Sequence, residues 1–126
     1  MQLSVLLYIA LGGAIGACSR YIISEIFVLM LGRTFPYGTL FVNIFGSFLM
    51  GLLISSLNNG TIESTPWKQI LGLGFLGAFT TFSTFSIDNV TLFQQGEFFK
   101  AVLNILLNVT ISIFAAWIGF QCISKS

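Results

Sequence analysis

From Leu3 to about Leu31 the chain carries only two charged side chains, Arg20 and Glu25, and three further apolar runs follow it. A helix needs about 20 mostly apolar residues to cross a hydrocarbon core about 30 Å thick. The runs expected to cross cover about residues 3–31, 37–57, 67–93 and 98–123. Turn-forming stretches separate them, from Gly32 to Pro36, from Asn58 to Pro66 and from Gln94 to Glu97. Lipid offers no hydrogen-bond partner, so each run must satisfy its own backbone groups, and helix is the way to do so. The expectation is an all-α integral membrane protein, a single four-span domain over residues 1–126 with both termini on one side. Composition agrees, with 56% of residues hydrophobic and 7% charged, where a soluble domain carries about a quarter charged residues.

Several function classes drop out. A formal net charge of +1 gives no basic footprint for nucleic acid. With no histidine, no acidic pair and no activated nucleophile, hydrolytic or metal chemistry has no machinery, and the chain is not read as an enzyme. Gly72, Gly74 and Gly77 spell a GxGxxG pattern, but no strand precedes them and the stretch is apolar, so it is not read as a dinucleotide site. Gly12 and Gly16 form a GxxxG pair, which indicates close helix packing. Cys18 and Cys122 fall inside expected spans and are read as small packed hydrophobes. The opening Met1, Gln2, Leu3, Ser4 lacks the basic region of a cleaved signal, so the first helix is expected to stay.

The polar residues inside the spans are patterned. Thr39, Asn43 and Ser47 recur every four positions in the second span, and Asn104, Asn108 and Ser112 do so in the fourth, so each set lines one helical face. Such residues can serve as interhelical glue. Two stripes together with a hydroxyl-rich third span argue for a polar track of uncharged donors, suited to a small anion that must be held and released. The third run holds Gly72, Gly74 and Gly77, then Thr80, Thr81, Ser83, Thr84 and Ser86, and is expected to break around residues 77–83 where helices meet. Phe82 and Phe85, three residues apart within that hydroxyl cluster, can face one lumen and present positive ring edges to an anion. Arg20 and Asp88 lie at membrane depth, where an ionisable group is by default a functional candidate.

The sequence resembles the Fluc fluoride channel family, also called CrcB-like proteins. The resemblance rests on Gly12-Gly13-Ala14-Ile15-Gly16-Ala17 with Arg20-Tyr21, on Gly38-Thr39-Leu40 with Asn43 and Gly46, and most specifically on Gly74 through Ser86. It implies an antiparallel, dual-topology homodimer of four-span subunits in the plasma membrane (the inner membrane of a bacterial cell), with two pores and a central structural sodium ion. It implies that fluoride passes Phe82 and Phe85, with Asn43 a donor beside them and Thr39, Ser83, Thr84 and Ser112 along the track. Gly77 and Thr80 would offer backbone carbonyls to the sodium. Asp88 stands where the family is expected to have Glu, and Asn108 where members vary. The implied function is passive export of toxic cytoplasmic fluoride, with selectivity from replacing a tightly held hydration shell.

A proton-coupled exporter of the small multidrug type is the alternative. It needs a carboxylate at mid-membrane, and Glu25, the one acidic residue of the first span, lies towards its end. The charges independently favour dual topology. Lys68 and Lys125 flank one face, Arg33 and Lys100 the other, so the positive-inside rule favours neither orientation.

Overall fold

The computed structural model describes residues 2–124. Lys125, which enters the topology argument, lies outside the described residues. Four helical stretches are long and apolar enough to cross a membrane: Leu3–Leu31, Tyr37–Asn58, Ser64–Gln94 and Phe98–Ser124. They match the expected runs to within a few residues. We label the helices α1 (Leu3–Leu31), α2 (Tyr37–Asn58), α3 (residues 64–79), α4 (Phe82–Gln94) and α5 (Phe98–Ser124). The connections between the four spans are short, and each turns on a glycine at positive φ, Gly32, Gly60 and Gly96, where a side chain would be strained.

The third span is broken where the hydroxyl cluster begins. Thr80 (φ −82°, ψ 156°) ends α3, and Thr81 (φ −150°, ψ 121°) precedes α4 in extended conformation. Thr81 caps α4, its hydroxyl accepting from the Thr84 amide at 3.1 Å, which satisfies one of the orphan donors of the new helix. The span is irregular before the break as well. Residues Lys68–Leu76 run as a π-helix, and a second π segment, Leu107–Ile111, interrupts α5. Neither widening is expected from the sequence, because a π turn alters which carbonyl is bonded without altering the apolar pattern.

Two seams of small residues hold the spans together. Added to Gly12, a Cβ would overlap the Ile70 carbonyl oxygen, and on Gly16 it would overlap that of Phe75. From the other side, a Cβ on Gly74 would meet the Ile9 carbonyl oxygen at 2.7 Å. The GxxxG pair thus lets α1 and α3 approach backbone to backbone, the packing that close association in lipid favours. Gly51 and Gly119 make the equivalent seam between α2 and α5, against the carbonyls of Ala116 and Phe48. The long side chains point away from the seams, and Leu3, Leu7, Leu29 and Met30 of α1 are exposed. Cys18 and Cys122 are also exposed. This corrects the expectation that they pack inside: the α1 interface is filled by glycines, leaving Cys18 on the outer surface.

Candidate functional site

The break in the third span is gripped by one side chain. Asn43, on α2, accepts from the Thr81 amide at 2.8 Å and donates to the Thr81 carbonyl at 3.1 Å. It replaces, for that residue, the amide bond that a continuous helix would supply, and adds a second donor to the carbonyl, which as the N-cap of α4 also takes that helix's first bond. Its second N–H donates to the Asn108 side-chain oxygen at 2.8 Å. Asn108 donates to the backbone and side-chain oxygens of Asn104, both at 2.9 Å, and Asn104 donates to Asn89 at 2.8 Å. Four amides from α2, α5 and α4 thus form one ladder, with Asn104 fully buried and Asn89 and Asn108 nearly so. Both amide hydrogens of Asn43, expected to face the ion, are engaged within the chain.

Around the break lie two concavities. A groove of about 310 Å³ is lined by Asn43, Ser47, Thr80, Thr81, Phe82, Phe85, Asn108 and Ser112. It brings the ring pair together with parts of both polar stripes. The rings of Phe82 and Phe85 have centroids 5.5 Å apart and planes inclined by 53°, a tilted arrangement in which ring edges are presented. Phe85 is buried, whereas Phe82 is 78% exposed on the outer face of the chain. Ser112 contributes a buried hydroxyl with no hydrogen-bond partner. The second concavity, about 320 Å³, is lined by Arg20, Glu25, Thr39, Thr84 and Asp88 among others. Thr39, Asn43 and Ser47 share one face of α2, so that stripe passes from this cleft to the groove.

Not every expected donor is free. The Thr80 hydroxyl donates to the Leu76 carbonyl at 3.1 Å and Ser86 to that of Phe82 at 2.9 Å, both bonds back to the helix. Ser83 is exposed and lines neither concavity. Thr39 and Asp88 line the same cleft, and the Asp88 Oδ2 is buried without a partner. Arg20 donates through Nε to the Ala78 carbonyl at 3.0 Å, closing one of the orphan acceptors at the end of α3.

Most of the carbonyls around the break are engaged. Leu76 accepts from Thr80, Ala78 from Arg20 and Thr81 from Asn43. Among the described residues no backbone bond outside the helices reaches the carbonyls of Gly77 or Thr80. No group of three or more His, Cys, Asp or Glu side chains is assembled among the described residues.

Asn89 is the residue that sequence reasoning missed, since it is a lone asparagine of the third run and belongs to neither polar stripe. Asn104 was placed in a stripe, but its partner across the helices was not visible.

These features define an all-helical multi-pass membrane protein whose polar interior is built from neutral amides and hydroxyls around a broken span. The chain belongs to the CrcB-like family: the family described as "CrcB-like protein, Camphor Resistance (CrcB)" matches residues 7–120. Among its relatives, a protein of Vibrio parahaemolyticus is 66% identical over 125 residues, covering 99% of this chain and 98% of its own. One of Photobacterium profundum is 67% identical with the same coverage. Another, of Vibrio cholerae, is 60% identical over the full length of both chains. All three are named "Fluoride-specific ion channel FluC".

Proposed function

We propose that the chain is a fluoride-selective channel that lets toxic cytoplasmic fluoride leave the cell passively across the plasma membrane, and that it works as an antiparallel pair of copies. The observation that carries this reading is the groove at the broken span. There a tilted phenylalanine pair, an unpartnered buried hydroxyl and the Asn43 clamp converge, in a chain whose relatives bear the name of that activity.

The chemistry follows from the donors. Fluoride gives up water only where fixed donors replace it. Ser112 and Ser47 offer hydroxyls and the ring edges of Phe82 and Phe85 add a weak positive field. None of these carries a formal charge, so the ion is held without being trapped. Arg20 lies in the cleft at the other end of the α2 stripe, which it shares with Arg33, Glu25 and Asp88, so this vestibule carries side chains of both signs. Asn43 is read as the clamp that sets the break, with its donors committed to Thr81 and Asn108.

A second copy, inverted, completes the site. Phe82 and its neighbours on α4 are exposed on one subunit, and a partner of opposite orientation covers them about a twofold axis in the membrane plane. The carbonyls of Gly77 and Thr80 from two copies would hold a sodium ion between the subunits, a role for oxygen dipoles in the manner of a cation filter. Such an ion would tie the two breaks together. The protein is a transporter of an ion and carries out no bond-making reaction.

Flux from proteoliposomes tests the reading. Fluoride efflux without a proton gradient, with chloride retained, is expected. Proton-coupled cation transport, or leakage of both anions, would overturn it.

A further inference from the structure

The polarity of the asparagine ladder is not free. Thr81 offers Asn43 one backbone N–H and one carbonyl, which fixes the Asn43 oxygen and nitrogen. The remaining Asn43 N–H then requires the Asn108 oxygen. That leaves the Asn108 nitrogen facing the Asn104 backbone carbonyl, which can only accept, and the Asn104 side-chain oxygen beside it. The Asn104 nitrogen is thereby aimed at the Asn89 oxygen. Each amide is oriented by the one before it, starting from the backbone of the break.

The ladder also returns to the helix it starts from. Thr81 is the cap of α4 and Asn89 lies within α4, about 12 Å further along its axis at 1.5 Å per residue. A helix held at one point can rotate about its axis or pivot; held at two, it can do neither. Apart from this circuit α4 meets mainly the start of α5, as in the Phe93–Phe98 ring contact, and it exposes Phe82, Ile87 and Val90. Rotation of α4 decides where the rings of Phe82 and Phe85 point.

We infer that Asn89 and Asn104 are positioning residues for the ion pathway: their hydrogen bond is the second pin that fixes the rotation of α4 and so aims the phenylalanine pair. Neither residue lines the groove, so neither touches the ion. The inference rests on the fluoride-channel reading for its flux arm and on geometry alone for its exchange arm.

The test uses Asn89→Leu, Asn104→Leu and the double variant in the full-length chain. Asn89→Leu leaves the buried Asn104 amide without an acceptor, which lowers stability; in the double variant both sides are apolar and melting temperature recovers. Flux should not recover. Each assembled variant, the double included, is expected to pass fluoride about tenfold more slowly than wild type, the population shift worth one buried hydrogen bond. The double should be no worse than a single, because all three cut the same bond. Hydrogen–deuterium exchange at the Thr81 amide should rise at least severalfold in all three.

A double variant with wild-type flux and unchanged Thr81 exchange would overturn the inference. So would failure of all three to assemble, which would make the ladder a folding element. If wild-type protein in the same vesicles passes no fluoride, the channel reading fails while the exchange measurement still decides the pin.

Discussion

Asn43→Asp replaces an amide by a group of the same shape with no N–H. The Thr81 amide keeps its acceptor, but the bonds to the Thr81 carbonyl and to the Asn108 oxygen, 3.1 and 2.8 Å long, lose their donor. The Thr81 carbonyl keeps the first backbone bond of α4, so the Asn108 oxygen is the acceptor left unpaired, at a cost of about 1–3 kcal/mol, before any repulsion from an ionised carboxylate. Asn108 could relieve it by turning its amide over. That would set its oxygen against the two Asn104 oxygens it now binds at 2.9 Å, moving the defect rather than removing it. The expected outcome is a lower melting temperature in detergent together with loss of fluoride efflux from liposomes. A residue whose amide simply faced the ion would lose flux while keeping its melting temperature. Wild-type melting with blocked flux would therefore refute the clamp, and wild-type values of both would refute any role for Asn43 in the pathway.

Phe82→Ile and Phe85→Ile should each cut fluoride efflux sharply, since volume is roughly kept while the polarised ring edge is lost; undiminished flux in both would remove the ring assignment. The stability cost should differ, up to about 1.5 kcal/mol at buried Phe85 and within about 0.5 kcal/mol at Phe82 wherever it stays exposed, as read by thermal melting. Gly12→Ala should destabilise the chain by about 1–3 kcal/mol or more, because the new methyl meets the Phe75 nitrogen at 2.8 Å as well as the Ile70 carbonyl, whereas Gly13→Ala, with nothing nearer than 3.8 Å, should melt like wild type. Two or three lysines added after the C-terminus should bias insertion and abolish fluoride resistance when that copy is expressed alone, and a copy biased the other way by lysines near Arg33 should restore it. Topology reporters showing the unmodified C-terminus on one side only would count against dual insertion.

The spans were legible because hydropathy is additive along a helix and the bilayer sets its length. Gly12 and Gly16 announced a close helix seam, though not its partner α3, for a similar reason, since small residues four apart have few other uses in lipid. The break was legible in place, because glycine and hydroxyl residues crowd one stretch, but its two extended threonines were not separable from their neighbours. What escaped was everything that depends on the relation between helices. Asn43 looked like a donor to the ion until Thr81 appeared beside it, and Asn89 looked unremarkable without Asn104 across from it. The exposed Cys18 teaches the same lesson: composition places it in a span, and only the glycine seam decides which side of the helix is inside.

That seam has a bearing on the order of assembly. A contact made of backbone has no side-chain rotamers to freeze, so closing α1 onto α3 costs little of the conformational entropy that packing long side chains would. It needs nothing from a second copy and works the same whichever way the chain is threaded through the bilayer. On the antiparallel reading proposed above, each newly inserted chain would thus fold to a stable half before an oppositely threaded one is at hand. The search for a partner would then be left to finished subunits diffusing in the membrane plane.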